Sequence, residues 1–371
     1  MELLLGLAAL LWLGSLASTA LDARHDVALA ARPPPAGAPP IAIIVPARNE
    51  AHQIARCLRS LLAQDWPKLR VVCVDDRSED ATHAEAAALA HDPRLVLVRG
   101  EELPAGWLGK NFANAQGVQH AGAAEWLLFT DADTVHAPGA LASAYAAAVG
   151  SQSALLTLFT QMTLGTFWER AFLPGTLAAI VALFPLRRVN DPRSPTAIAN
   201  GQFLLVRRAD YDALGGHAAI RDRVADDLEL ARLFKSSGRR IRALDGRAFV
   251  SVRMYTSLRE LWWGFVKNSS AGAGGPFGAL AGAVLVVLTA LPFFALPFAR
   301  GPALGLAALG CVVALAQRAW VLRTLFGQGA IWALCLPFGQ LFLAGVAVHS
   351  ALRQLAGKGP LWKGRAYPHG R

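Results

Sequence analysis

Charge is scarce in this chain. Only 17% of its 371 residues are Asp, Glu, Lys or Arg, while 54% are hydrophobic. A soluble domain carries about 25% charged residues, so a chain that is soluble from end to end is a poor fit. Cysteine is scarcer still. Cys57, Cys73, Cys311 and Cys335 show no C-x-x-C spacing, which argues against a zinc ribbon or a redox pair. They read as small buried hydrophobes in a reducing compartment. No basic stripe is interleaved with aromatics, so nucleic acid is not an expected partner. No G-x-G-x-x-G follows the first apolar strand, so a Rossmann dinucleotide site is not expected either.

What is present is apolar sequence in blocks. Residues 3–21 form one run about a bilayer thick. Ala17-Ser18-Thr19-Ala20 has the look of a signal-peptide cleavage site, but Met1 is followed by Glu2 and not by a basic region. A retained anchor over residues 1–22 is therefore expected, and Arg24 and Arg32 favour a cytoplasmic far side. Residues 23–40 read as a linker, stiff and extended from Pro33 to Pro40. A membrane block is expected over 271–352, with apolar stretches near 277–298, 303–322 and 329–350. The tail, 353–371, carries Arg353, Lys358, Lys363, Arg365 and Arg371 and should be cytoplasmic. Two expectations collide here. With the middle of the chain inside, three full spans would put that tail outside. Either one stretch is interfacial or re-entrant, or the charge rule fails. The net charge of +10 suits an anionic membrane surface or anionic substrates, and helix-orienting flanks account for much of it.

Residues 41–270 read as a soluble α/β domain. A strand, Ile41–Val45, precedes a helix from about Glu50 to Gln64 that Asp65-Trp66-Pro67 breaks. The strand Leu69–Val74, an Ala-rich helix over 81–90 and the strand Leu95–Val98 follow. This alternation predicts a doubly wound, mostly parallel sheet. Further on come a helix over 140–149, a strand over 154–163 and an apolar stretch, 171–186, interrupted by Pro174. That stretch is either an interfacial segment or a buried core helix.

The strand Trp126–Phe129 ends in Asp131-Ala132-Asp133. Ligands of open α/β sheets bind at the C-terminal ends of strands. Two carboxylates converging there suit a hard divalent cation, Mg²⁺ or Mn²⁺, that holds phosphates. Alone, the same pattern is equally a solvated loop.

Ile44-Val45-Pro46-Ala47-Arg48-Asn49-Glu50, then Val74-Asp75-Asp76-Arg77-Ser78, then Asp131-Ala132-Asp133, resembles the family 2 glycosyltransferases of the GT-A fold, over roughly residues 41–270. The resemblance implies that Pro46, Ala47, Arg48 and Glu50, with Asp75 and Asp76, hold the nucleoside of a UDP-sugar. A carboxylate accepts hydrogen bonds from a uracil imide or a ribose hydroxyl. The same residues also suit an Arg48–Glu50 pair and a helix cap at Asp76 and Ser78. Lys110, in Gly109-Lys110-Asn111, is a candidate diphosphate contact or a solvated lysine. Asp131 and Asp133 would hold the metal, and Asp131 the donor. Asp226-Asp227 opens a helix, where acids also suit the dipole. Relatives place their general base in such an acidic pair, and Asp227 matches it; Asp226 stands where the pattern has Glu. His217 reads as a surface-loop histidine. Processive relatives carry Q-x-x-R-W after this helix; here stands Leu258-Arg259-Glu260-Leu261-Trp262-Trp263, which argues for a single transfer. Trp262 and Trp263 are candidates for sugar stacking or the membrane interface, and Arg253 and Lys267 for diphosphate or lipid headgroups.

The resemblance thus implies an inverting glycosyltransferase anchored in a bacterial inner membrane as a multi-pass protein, its catalytic domain cytoplasmic. It resembles lipid glycosyltransferases of the hopanoid-associated, carotenoid-acid and ceramide-glucosyltransferase-like types. It would move one sugar from a nucleotide-sugar to a membrane lipid acceptor, with the bilayer as its other partner. The alternatives are a polyisoprenyl-phosphate glycosyltransferase and a non-catalytic membrane protein with a nucleotide-binding domain.

Overall fold

The computed structural model describes residues 1–25, 27–358, 361–362 and 365–366; Lys363 and Arg371 of the expected basic tail lie outside the described residues. Helix α1 (Glu2–Asp22) opens the chain. The α/β segment begins with β1 (Ile41–Ala47), α2 (Ile54–Leu62), β2 (Leu69–Asp75), α3 (Thr82–Ala87), β3 (Leu95–Arg99), α4 (Gly109–Gln119) and β4 (Trp126–Phe129). It continues through β5 (Thr134–His136), α5 (Ala140–Gly150), β6 (Leu155–Phe159), β7 (Gln161–Met162), α6 (Phe167–Leu183) and α7 (Leu186–Asn190). Then come β8 (Leu204–Arg207), α8 (Arg208–Ala213), α9 (Gly216–Ala219), α10 (Asp226–Ser236), β9 (Ile241–Asp245) and β10 (Val250–Val252). Helices α11 (Leu258–Gly272), α12 (Pro276–Ala295), α13 (Pro302–Phe326) and α14 (Leu336–Leu355) close the chain, with a 3-10 turn at Ala330–Cys335 before the last.

The main sheet runs β3-β2-β1-β4-β8-β6-β9. It is parallel from β3 to β4 and again between β6 and β9, and β8 runs against both neighbours. β1 is buried at every position, as expected of a parallel strand covered on both faces. Register sets the site. Ala47 pairs with Asp75, and Ile44 pairs with Phe129, so the ends of β1, β2 and β4 finish side by side. One apolar cluster fills each face of this sheet. A smaller sheet, β5-β10-β7, lies just beyond the end of β4.

Three local expectations are corrected. The stretch 154–163 is not one strand: β6 stays in the main sheet, and β7 joins the small sheet. The first helix starts at Ile54, because residues 51–53 form a turn that carries the chain away from the strand end. The linker begins as a sheet edge, not as free chain. Leu29 N–H donates to Asp245 O at 2.9 Å and Asp245 N–H to Val27 O at 2.7 Å, which covers the edge of β9.

Four helices are long and apolar enough to cross a membrane: Glu2–Asp22, Pro276–Ala295, Pro302–Phe326 and Ala330–Leu355. They pack on one another. Trp12 Nε1 donates to Thr289 O at 2.9 Å, and Gln317 Nε2 to Thr19 Oγ1 at 3.2 Å. Helix α6 contains Pro174; it starts four residues before the expected apolar stretch and ends three residues short of its end. It joins a third apolar cluster with α11, α13 and α14, while Phe167 and Trp168 at its start stay exposed. Arg187 of α7 pairs with Asp22 at 2.7 Å and ties the end of α1 to the α/β domain.

Ile43 is fully buried in the centre of β1. Ile43→Ala should cost about 2–5 kcal/mol, read as a lower denaturant midpoint of the detergent-solubilised protein.

Candidate active site

The first two strand ends are knitted together by buried polar groups. Arg48 is 4% exposed. Its guanidinium donates to Asp76 O at 2.8 Å, to Arg77 O at 2.7 Å and to Glu79 Oε1 at 2.8 Å. It therefore braces the loop after β2 and forms an ion pair with Glu79. Asn49 and Arg77, both at positive φ, turn the two loops, and Asn49 Oδ1 accepts from Glu79 N–H at 2.9 Å. Glu50 N–H donates to Thr82 Oγ1 at 2.7 Å. The Asp75 carboxylate is fully buried and engaged with Ser78 N–H, His83 and Arg99. Asp76 is buried too, its N–H donating to Ala47 O at 2.8 Å. Pro46 and Ala47 are buried positions of β1.

Behind Asp131-Ala132-Asp133 lies a neutral network. Thr130 Oγ1 donates to Gln202 O at 2.7 Å and lies 3.0 Å from both Thr134 Oγ1 and His136 Nε2. Burial pushes the His136 pKa down to about 3, so the ring is uncharged at neutral pH. The network fixes the loop without adding charge to it.

The centre of the site is one ammonium among three carboxylates. Lys110, in the first turn of α4, places Nζ 2.8 Å from Asp131 Oδ1 and 3.3 Å from Asp226 Oδ1. Gly201 closes the other side; a Cβ there would sit 2.9 Å from Lys110 Nζ and 3.4 Å from Asp227 Oδ2. Burial opposes the Lys110 charge, but Asp131, Asp226 and Asp227 outweigh it and hold the ammonium well above the usual lysine range. The two neighbouring acids diverge. For Asp226, burial raises the pKa most, but Lys110, His217 and Lys267 together hold the carboxyl below its usual range. For Asp227, burial and then the Asp226 charge push the pKa up to about 6, against the pull of Lys110 and of N–H donors from Gly201 and Leu228. One acid is a fixed countercharge; the other exchanges its proton near neutral pH.

The Asn111 amide holds the wall that carries Asp226 and Asp227, donating to Ile220 O at 2.8 Å, Arg221 O at 3.2 Å and Arg223 O at 2.9 Å. Nothing in the sequence singled it out beyond its place beside Lys110. His217 is not on the surface. It is 1% exposed, bonded to Tyr211 Oη at 2.8 Å and Asn114 at 3.2 Å, and burial lowers its pKa to about 4. Arg253 is bound to the buried Glu169 at 3.0 Å and anchors the start of α6. Trp262 and Trp263 face α14: Trp262 Nε1 meets His349 Nδ1 at 2.9 Å, and Trp263 packs on the same ring. Lys267 stands in the field of the acid cluster; burial, then Lys110, lower its pKa against the pull of Asp226, Asp131 and Asp227.

Among the described residues no three His, Cys, Asp or Glu side chains converge as a metal site. Asp131 and Asp133 nevertheless fit a hard cation. They are all-oxygen donors, and Asp131 already meets one cation, the Lys110 ammonium. Phosphates and water commonly complete such a shell.

A mixed, parallel-dominated sheet with acids at adjacent strand ends defines the GT-A fold. The mannosyltransferase PcManGT of Pyrobaculum calidifontis, solved with GDP-Man and Mn²⁺, superposes with a TM-score of 0.59 at 19% identity, over 95% of this chain and 99% of that one. Residues 42–214 match the model of Glycosyl transferase family 2. Curated 4,4'-diaponeurosporenoate glycosyltransferases of Staphylococcus aureus strains MRSA252 and USA300 are 29% and 28% identical over 240 residues, 63% of this chain. The match spans 62% of the length of those relatives.

Replacing Lys110 by Met leaves the acids without their cation. Their folded pKa values then rise above the unfolded ones, so stability is lost as pH rises and recovered as pH falls. Lys110→Met should cost about 3 kcal/mol at pH 8 and progressively less toward pH 5, read from denaturant midpoints across that range.

Proposed function

We propose that this protein is an inverting, divalent-metal-dependent glycosyltransferase that passes one sugar from a nucleotide-sugar, a UDP-sugar, to a membrane lipid. It works at the cytoplasmic face of a bacterial inner membrane. The observation that carries the reading is the splitting of Asp226 and Asp227. One is neutralised by Lys110, and the other is left with a carboxyl poised near neutral pH beside Gly201. A general base works best with its pKa near the operating pH.

The loops after β1 and β2, from Pro46 to Glu50 and at Asp75-Asp76, form the nucleoside end of the site. Arg48 and Asp75 act there by holding the loops in shape. Lys110 faces the diphosphate. A divalent ion held by Asp131 and Asp133 would add positive charge where the leaving group gains negative charge. Asp227 takes the proton of the acceptor hydroxyl as that oxygen bonds to C1 of the sugar. The C1–O bond to the diphosphate breaks on the opposite face, its electron pair leaves with the nucleotide, and the configuration inverts.

Three further observations support the reading. Relatives are named for acting on a carotenoid acid, and the PcManGT structure contains a nucleotide-sugar and Mn²⁺. Four helices suited to a bilayer pack beside the domain. The stretch after α10 lacks the processive Q-x-x-R-W, which fits a single transfer.

Purified protein in detergent, given Mn²⁺ or Mg²⁺, labelled UDP-sugars and a bacterial lipid extract, should yield labelled lipid. Asp227→Asn, which keeps an acceptor for the Gly201 N–H, should lower the rate at least 100-fold; a rate within tenfold of wild type removes Asp227 as the base. The wild-type rate should fall as pH drops through about 6, where the base becomes protonated. Turnover unaffected by Asp131→Ala would sink the metal role.

A further inference from the structure

Each long apolar helix can be placed by where its ends are held. Helix α1 finishes beside the α/β domain, where Asp22 meets Arg187 at 2.7 Å. Its other end, at Leu5, packs on Ala299, Ala303 and Ala307, around the turn between α12 and α13. That turn is therefore at the far end of the bundle. Helix α12 reaches it from α11, which follows the small sheet. Helix α13 runs back from it, and Thr324 O near its end accepts from Arg247 of the domain.

The segment after α13 is held differently. The end of α14 lies on α11: Trp262 Nε1 meets His349 Nδ1 at 2.9 Å, Ser270 Oγ meets Ser350 Oγ at 2.8 Å, and the Arg353 guanidinium stands 5.4 Å from the Trp263 ring centroid. The start of α14 lies deep. Gln340 Nε2 donates to Thr289 Oγ1 at 2.8 Å, and Leu336 packs with Trp12, Val313 and Ala314, in the middle of α1 and α13. Among the described residues, nothing after Phe326 joins the cluster around Leu5 at the far end. The chain after α13 thus starts on the domain side, descends into the bundle and returns to the domain side. It is long enough to cross a bilayer, yet both its ends lie on one side.

A bilayer tolerates such a path only where the backbone is satisfied. Gly327, at φ 62°, ends α13, and Gln328 N–H caps Leu322 O at 2.9 Å. The 3-10 turn Ala330–Cys335 runs straight into α14, and Pro337, in the first turn of α14, has no N–H to satisfy. Ala333, Leu336 and Gln340 are buried, whereas Ile331, Leu334, Phe338 and Leu341 form an exposed apolar stripe. Trp332 links this stripe to the exposed Phe167 of α6, 5.6 Å away, and the Arg170 guanidinium stands 5.9 Å from the Trp332 ring. A cation over an aromatic ring suits the edge of a bilayer, where the stem is in lipid and the head in water.

We propose that residues 327–355 are a re-entrant hairpin set in the leaflet on the domain side. The chain crosses the bilayer in α1, α12 and α13 and not in α14, and Lys358 lies on the same side as the α/β domain. The exposed stripe meets the acyl chains of that one leaflet. This rests on the membrane reading above, and it resolves the conflict between three apolar stretches and a basic tail: Arg353 and Lys358 stay with the domain, as the charge rule requires.

The test labels single exposed positions with a membrane-impermeant maleimide, in intact bacterial cells and in sealed inverted membrane vesicles. Glu85→Cys marks the α/β domain, Arg300→Cys the turn between α12 and α13, and Lys358→Cys the chain after α14. All are made in a Cys335→Ala background, which is also the blank, since Cys57, Cys73 and Cys311 are buried. Lys358→Cys should be labelled in the same preparation as Glu85→Cys, and Arg300→Cys in the other. Labelling of Lys358→Cys together with Arg300→Cys overturns the proposal. A nitroxide on Phe338→Cys in reconstituted vesicles reads the stripe itself. Oxygen should reach it, and a water-soluble nickel chelate should not. Free access of the chelate, as for a helix lying on the membrane surface, overturns the hairpin. Failure of the membrane reading shows separately, as wild-type protein released from membranes by alkaline carbonate.

Discussion

The arrangement of the site depends on the Lys110 ammonium. Carboxylates from two places, the end of β4 and the start of α10, come within a few ångströms of one another. Like charges at that distance, half removed from water, do not stay ionised together without a cation. Lys110 supplies it, and it does so unequally. It lies against Asp131 and Asp226 and acts on Asp227 only from a distance, together with two backbone N–H groups. The inequality gives neighbouring residues of one type opposite behaviour. Around it the framework is made rigid by neutral groups: the Thr130–Thr134–His136 network behind the loop and the Asn111 amide on the opposite wall. Placing further charge there would have disturbed the balance that Lys110 maintains.

The second constraint is that the site and the membrane bundle share elements. Helix α11 contacts Tyr255 on one face and α14 on another. Arg187 ties α7 to the end of α1, and Arg247, in the turn between β9 and β10, donates to Thr324 O near the end of α13. Segments at both ends of the chain thereby hold the α/β domain in one pose against the helices.

Much of this was legible in the sequence, for reasons that differ by element. β1, β2 and β4 were plain because buried parallel strands are continuous apolar runs, and their ends were plain because the runs stop in acids. The four long apolar helices were plain because a bilayer demands about twenty residues without charge. Arg48 and Asp75 were located as site residues, but their burial was not legible, because a one-dimensional motif does not show which way a side chain points. His217 read as exposed because it follows Gly215-Gly216. Tyr211 and Asn114, which bury and bond it, come from other parts of the chain. The stretch 154–163 looked like one strand because nothing in its composition marks the step from one sheet to another.

By itself, the sequence determined the strands of the first half, the carboxylates at their ends and the apolar blocks. These follow from local pattern, and a local pattern is a property of the chain. Only the tertiary structure decided which acid is neutralised and which is poised. Those properties are set by distances and burial among Lys110, Asp131, Gly201, Asp226 and Asp227. These residues are up to 117 positions apart and acquire their charges' effects only when folding removes the water between them.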